Sequence, residues 1–388
     1  MAQEIWKTFT DITPQSIVAH SQKRGEPSWL TEFRLSALAT LNADLVTPYW
    51  PIQGFQKPNT NMAESGQTHA DEAEVVYQQL TKRLAQDQII YGNFYDVMRT
   101  HPQLLHKLLG HILPPQESAS SALNAVLFTG GMVLYVPPGV TCPVPVSYFR
   151  PQGHPGQIER HLIWLDRGAH AQFIEGRPSL DFAPSHLVHT EVLLGAKATF
   201  QYIAVKNWAH TVSTWVTKRV VCEAESQLTW VEGHFGGAKT YESTQIILQG
   251  TQASTRVITC AVAESDQHII YRPTIYHLGS HTASSLSVHG FSKDGPMRIQ
   301  GGIFLAPTAT HARLERDVLS TGPQATATEE NVWLTLPDVI TGPLWTTSTP
   351  SLSWTAAKPL TQPFVDQLPL EFSIEAERLL RQKLGSEP

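Results

Sequence analysis

The sequence predicts a mainly β protein whose core is a right-handed parallel β-helix, a β-solenoid, with an α-helical N-terminal region and a short C-terminal helix. Three observations carry that prediction. First, a corner of small or polar residues after a Gly, Ala or Pro returns at Gly168-Ala-His-Ala, Gly195-Ala-Lys-Ala, Ala224-Glu-Ser-Gln, Gly250-Thr-Gln-Ala, Gly279-Ser-His-Thr and Pro307-Thr-Ala-Thr, a period of 26–29 residues. Second, the runs between corners alternate β-branched and aromatic residues with polar ones, as in Thr199-Phe-Gln-Tyr-Ile-Ala-Val and Thr255-Arg-Val-Ile-Thr-Cys-Ala-Val. Period two belongs to strands, whereas a helix needs apolar residues three and four apart. Third, a unit of this size holds two or three strands, cannot bury its own apolar face and must stack on the next. On pattern alone the alternative is a β-sandwich with evenly spaced hairpins.

In chain order, residues 1–115 read as the helical region. Glu26-Pro-Ser-Trp-Leu-Thr-Glu-Phe-Arg-Leu puts Trp29, Leu30, Phe33 and Leu38 at helical spacing, with Pro27 able to sit in the first turn. Residues 53–72 look like an exposed loop. A polar helix is expected over 73–86, and another over 93–109 that stops at Gly110. The solenoid core is expected over 120–340, with strand pattern from Leu123 onward and a sharp corner at Gly130-Gly131. Residues 341–388 read as an irregular Thr, Ser and Pro-rich linker followed by a helix over 370–383 that presents Phe372, Ala376, Leu379 and Leu380 on one face.

Composition excludes several classes. The 388 residues are 41% hydrophobic and 9% aromatic, enough for a substantial core. A formal charge of −6 offers no basic face for nucleic acid. Three cysteines, Cys142, Cys222 and Cys260, cannot build a disulfide framework. No run of about 18 apolar residues is present, so no membrane span is expected. The expectation is a soluble protein of the reducing cytoplasm.

The motifs narrow the chemistry further. No P-loop follows Gly130-Gly131 or Gly236-Gly237, no Gly-x-Ser-x-Gly elbow exists, and the cysteines form no C-x-x-C pair. Cys222 and Cys260 lie in strand runs, where single thiols are usually small core residues; Lys218 or Arg219 nearby would activate a thiolate if it faced the same way. In His186-Leu-Val-His-Thr-Glu191 strand alternation puts only His189 and Glu191 on one face. Stacked rungs can still gather ligands about 4.8 Å apart, which makes His277 and the corner residue His281 candidates. A polysaccharide-active β-helix would need clustered carboxylates, and acids such as Glu191, Glu232 and Asp266 look scattered.

Several stretches, taken together, resemble the SufB/SufD proteins, the β-helical scaffold components of the SUF iron–sulfur cluster assembly system. They are the 26–35 helix, Ala122-Leu-Asn-Ala-Val-Leu-Phe-Thr-Gly-Gly through Tyr135-Val-Pro-Pro-Gly-Val, Tyr148-Phe-Arg with Gly156-Gln-Ile-Glu-Arg, Asn207-Trp, Val216-Thr-Lys-Arg-Val, and Leu368-Pro-Leu-Glu-Phe-Ser-Ile-Glu-Ala. The resemblance implies a parallel β-helix, a non-enzymatic scaffold role, and a transient Fe–S cluster built through thiolates. It also implies two partners: a SufB/SufD-type subunit or second copy, and a SufC-type ABC ATPase gripping the C-terminal helical region.

The chain departs from that pattern at informative places. Where SufB carries a sulfur-accepting Cys after Glu-Gly, this chain reads Ile174-Glu-Gly-Arg177; where a second Cys lies in Gln-Cys-Asp, it reads Glu315-Arg316-Asp317. A guanidinium carries no persulfide. The family's internal-path Arg is matched by Arg150, and its nearby Asn by Gln152. His186, Glu191 and His277 match family positions and, with Cys222 and Cys260, are the metal or Fe–S candidates. The 341–363 segment is shorter than its family counterpart, which argues against an intact ATPase contact. Two readings stay open: a SufD-like partner without the acceptor cysteines, and a diverged interaction solenoid with no cluster chemistry.

Overall fold

The computed structural model describes residues 12–42, 70–149, 158–177, 185–329, 344–347 and 354–385. Helix α1 (Pro14–Arg24) starts at a capping box in which Thr13 and Ser16 satisfy each other's backbone N–H, and it ends at Gly25 in the left-handed conformation. Helix α2 (Ser28–Asn42) buries Leu30, Ala37, Leu38 and Leu41. Helix α3 (Ala70–Ala85) precedes the short strand β1 (Ile90–Asn93); the loop expected over 53–72 falls outside the described residues as far as 69. The helix expected over 93–109 is two helices, α4 (Phe94–Thr100) and α5 (Pro102–Leu108). Pro102 has no N–H with which to continue the first and suits the opening turn of the second.

The strand pattern expected from Leu123 begins later. Residues 119–127 form helix α6 (Ala119–Leu127), started by the Ser118 side chain, which accepts from the Ser121 N–H at 3.0 Å. Its Ala- and Leu-rich residues favour helix, and α6 is buried almost throughout. Arg34, 2% exposed, ties α2 to this helix by donating to the carbonyls of Val126 and Phe128 at its C-terminus while pairing with Glu26 at 2.8 Å.

The solenoid strands follow: β2 (Met132–Val136), β3 (Val146–Phe149), β4 (Ile158–Leu165), β5 (His170–Arg177), β6 (Ser185–Leu194), β7 (Thr199–Lys206), β8 (Ser213–Cys222), β9 (Gln227–His234), β10 (Lys239–Leu248), β11 (Ser254–Ala263), β12 (His268–His277), β13 (Ala283–Ser292), β14 (Met297–Leu305), β15 (Arg313–Thr321), β16 (Ala325–Glu329) and β17 (Leu344–Thr347). Even-numbered strands make one parallel sheet, β2 to β16, edged by antiparallel β1; odd-numbered strands make the other, β3 to β17. Each strand pairs in register with those two places away in sequence, so the chain coils in one sense and the β-sandwich alternative is excluded. Between the sheets lies one apolar core that includes Leu194, Cys222, Leu248, Phe200, Trp230 and Leu286.

The corners explain the sequence period. At each, one residue adopts positive φ: Gly168, Lys197, Glu225, Gln252, His281 and His311. That conformation turns its N–H toward the next rung, where for example Lys197 donates to the Ala224 carbonyl at 2.8 Å and Gln252 to that of Ser280 at 2.9 Å. The glycines of the motif do something else. A Cβ on Gly250 would stand 2.0 Å from the Ala224 nitrogen, and on Gly279 2.3 Å from the Gly250 oxygen, so those positions are kept bare by the close approach of successive coils.

Helices cover part of both outer faces. The N-terminal helices pack on the first sheet through Leu30, Phe94, Phe128, Leu162, Leu187 and Trp215. Helices α7 (Trp354–Val365) and α8 (Leu370–Leu384) pack on the second through Phe364, Leu380, Ile203, Val231 and Ile258. The span expected to be an irregular linker therefore contains β17, paired with β15, and α7.

Candidate functional site

In-register pairing stacks equivalent positions of successive coils, and alternate residues of each strand point between the sheets. On the second sheet this makes one column of Glu175, Ala204, Glu232 and Thr259 and another of Lys206, His234 and Ala261. On the first, Val216, Glu242 and Tyr271 form a column beside that of Thr190, Lys218 and Thr244. These columns meet in an ionic cluster. Lys206 Nζ donates to Glu242 at 2.5 and 2.6 Å and to Glu232 at 3.2 Å. Lys218 Nζ donates to Glu232 and lies 3.1 Å from Glu242 and 3.9 Å from Glu175. The Tyr202 hydroxyl donates to Glu175, and the Tyr271 and Thr244 hydroxyls donate to Glu232 at 3.2 and 3.3 Å. All of these charged groups are 4% exposed or less.

Buried charges persist only when paired and hydrogen-bonded, and here burial and neighbouring charge act differently on Lys218, Glu232 and Glu242. Burial opposes the charge on Lys218, but Glu232 and Glu242 outweigh it and hold the ammonium well above the usual lysine value. Burial likewise opposes ionisation of Glu232, and the two lysines overcome it, holding that carboxyl well below its usual range. Glu242 goes the other way, raised by burial and by the Glu232 charge. His234 is 2% exposed, and burial pushes its imidazole down to about 3, so the ring is neutral. Its Nδ1 lies 3.5 Å from Glu242 Oε2, yet neither ring nitrogen has a hydrogen-bond partner.

The residues singled out from sequence are spread through the fold. Glu191 faces the N-terminal helices, where its carboxylate accepts from Arg160 at 2.7 Å and from the N–H groups of Gly110, Ile112 and Leu113 at 3.0 Å. His189 shares that face, 3.2 Å from the Ser120 hydroxyl, while His186 stacks on Trp208 at 4.6 Å. His277 is held by the hydroxyls of Thr282 and Ser284 at 2.7 and 2.8 Å. Cys222 stands in the same inner column as His277, with Leu248 between them. Cys260 shares the outer cluster of the second sheet with Phe364 and Leu380. His281 is an exposed corner residue whose ring lies 4.8 Å from that of His311, tilted by 31°. Among the described residues these candidates do not converge on one point.

Two of the three thiols, Cys222 and Cys260, are buried, whereas Cys142 is not. Cys222 follows Lys218 on the inner face with Val220 between, and burial pushes its thiol up to about 12 despite a hydrogen bond with Ser226. Cys260 is pushed up by burial as well. Arg219 points the other way, to Glu117 and to Gln245 at 2.8 Å.

Arg150 and Gln152 lie outside the described residues. The backbone of Arg177 is in register with Lys206, one coil before the ionic cluster. Arg316 ends the column Tyr202, Trp230, Val257, Leu286, Arg316 toward the last coils, and burial lowers its pKa.

Sequence reasoning missed the cluster itself: of the acids that looked scattered, Glu232 lies in it, Glu191 faces the N-terminal helices, and Asp266 is exposed, 3.2 Å from His210. The signal was there: Arg177, Lys206 and His234 follow one another at 29 and 28 residues, one solenoid period each. Overlaying the repeats would have aligned them.

The solenoid carries helices on part of both outer faces and an ionic cluster buried between its two sheets. Residues 149–329 match the SufBD core domain of the SUF system for FeS cluster assembly, and residues 68–147 match the SufBD protein N-terminal region. The iron-sulfur cluster assembly protein SufB of Bacillus subtilis is 26% identical over 97% of this chain and 94% of its own. A SufBD family protein of Staphylococcus epidermidis is 25% identical over the same shares, and one of Staphylococcus aureus is 27% identical over 77% of this chain and 73% of its own. The chain belongs to the SufBD family of iron–sulfur cluster assembly proteins. Among the described residues no helix is long and apolar enough to cross a membrane.

Proposed function

We propose that this chain is a scaffold subunit of iron–sulfur cluster assembly that works as the SufD-like partner of a sulfur-accepting, SufB-type subunit. The observation that carries the reading is the state of its core thiols. Sulfur transfer runs through an accessible thiolate. Cys222 and Cys260 are both 0% exposed and held protonated by burial, and by resemblance the acceptor positions are Arg177 and Arg316. Thiolate ligands for a transient Fe–S cluster then come chiefly from the partner.

Helices α7 and α8 support an ATPase contact despite the shortened segment before them. Leu370 and Ile374, one turn apart on α8, are 75% and 63% exposed, an apolar pair on a helix otherwise rich in charge. We read them as part of the surface met by a SufC-type ATPase.

The test is anaerobic coexpression of the tagged chain with SufB-type and SufC-type proteins of its own host. Copurification is expected, with cluster absorption in the complex unchanged when Cys142, Cys222 and Cys260 are all replaced by Ala. A persulfide on this chain, or a cluster on the isolated chain that the Cys→Ala variant loses, would make it an acceptor in its own right. Absence of both partners from the purified material would leave the interaction-solenoid reading in its place.

A further inference from the structure

We propose that Glu232, His234 and Glu242 form a binding site for one first-row divalent cation of the Zn²⁺ and Fe²⁺ class, held between the sheets, with the Lys206 side chain as its displaceable stand-in. One ligand atom from each of the three residues lies within 4.8 Å of the others. Bonds of about 2.0–2.1 Å in tetrahedral geometry place ligand atoms roughly 3.3 Å apart. The separation of His234 Nδ1 from Glu242 Oε2, 3.5 Å, is already at that spacing.

The imidazole is the decisive group. A buried polar side chain ordinarily finds a partner, and leaving one unmade is costly. His234 is sealed inside the molecule among acceptors and donors, and both its nitrogens go unbonded. A neutral imidazole with a free lone pair beside two carboxylates is an N,O,O donor set, which suits borderline metals; Mg²⁺ and Ca²⁺ prefer all-oxygen shells.

The surroundings favour added positive charge. With Lys206, Lys218, Glu175, Glu232 and Glu242 all ionised the cluster holds three negative and two positive charges. Tyr271 and Thr244 donate to Glu232 and fix its orientation, as outer-shell groups do in metal sites. Lys206 Nζ lies 2.5 Å from Glu242 and 3.2 Å from Glu232, so the amine bridges the two carboxylates a cation would share. Lys218 keeps its place over the Tyr202 ring at 4.7 Å. The inference does not depend on the assembly role.

Anaerobic titration of the full-length chain with Co²⁺ alone tests it, the metal being added to folded protein in one arm and during refolding in the other. One equivalent should bind in at least one arm, with the intense visible bands of a four- or five-coordinate N,O site. His234→Ala and the nearly isosteric Glu242→Gln should each weaken binding by roughly tenfold or more, with metal-free circular dichroism and melting showing that both variants fold. The double variant His281→Ala/His311→Ala, which removes the exposed corner pair, should keep the bands. The proposal is overturned if wild type binds no stoichiometric Co²⁺ in either arm, if its bands are the weak ones of a water-rich octahedral ion, if they depend on the corner pair, or if they survive unchanged in the His234 and Glu242 variants.

Discussion

Two sets of buried charge sit on opposite faces of the first sheet and serve different ends. Beneath the N-terminal helices, Arg160 donates to Glu191, to the Asn124 side chain at 3.2 Å and to the Leu113 carbonyl at 2.6 Å, while Glu191 also accepts three backbone N–H groups. Both charged side chains are fully engaged, and the pair pins the 110–113 turn and α6 to the solenoid. Between the sheets, the Lys206, Lys218, Glu232 and Glu242 cluster is just as buried, yet it encloses an imidazole with no bond to make. Saturation marks a staple. An unused nitrogen in the same low-dielectric surroundings marks room for something else.

Breaking the staple should have the largest effect. Glu191→Ala leaves the buried Arg160 guanidinium without its counter-charge and three N–H groups without an acceptor, and we expect a loss of about 3–5 kcal/mol in urea denaturation. Glu191→Gln, which keeps an acceptor, should lose less; equal losses would show that charge rather than hydrogen bonding holds the turn.

A second effect, read by pH, concerns His277, which is satisfied by hydroxyls rather than ions. Burial lowers its pKa from 6.5 to about 4, so the unfolded chain binds the extra proton between those values. Its contribution is therefore complete above about pH 6.5 and is lost as pH falls toward 4, roughly 3 kcal/mol in all at 1.36 kcal/mol per unit. Denaturation midpoints across pH 4–7 should show a shallower fall for His277→Asn.

The smallest change sharpens the contrast most. His234→Met removes no hydrogen bond and roughly conserves volume, so the metal-free protein should lose no more than about 1 kcal/mol. A loss as large as that of Glu191→Ala would mean that the imidazole is structural after all.

Much of the fold was legible because two periods in the sequence are physical ones. Alternation along Thr199-Phe-Gln-Tyr-Ile-Ala-Val became β7, and it correctly separated His186 from His189 and Glu191. What alternation cannot say is which faces are later covered. Helices on both flanks bury outward as well as inward residues, so Glu191 and Cys260, on outer faces, are as hidden as Cys222.

The C-terminal region was misread for a related reason. Pro359 and Pro363 mark 354–365 as a helix breaker, yet α7 forms because Ala357, Thr361 and Phe364 are buried, Phe364 among the apolar residues of the second sheet. Both prolines lie on its exposed side, where water can serve the carbonyls they leave unbonded. Packing overrode propensity there. The ionic cluster escaped notice because its members are distant in sequence and meet only when the coils are laid over one another.

The left-handed corners all donate the same way along the stack. Each corner N–H is received by the coil that follows it, from Gly168 to Ala196, Lys197 to Ala224, Glu225 to Thr251, Gln252 to Ser280 and His281 to Thr310. The residues beside them donate the other way, to the coil before, as Thr199 does to Ala169, Glu223 to Leu194, Gln227 to Ala198 and Leu278 to Leu248. Every boundary between coils is thus stitched in both senses, and opening the column at any coil leaves donors as well as acceptors for water to take up.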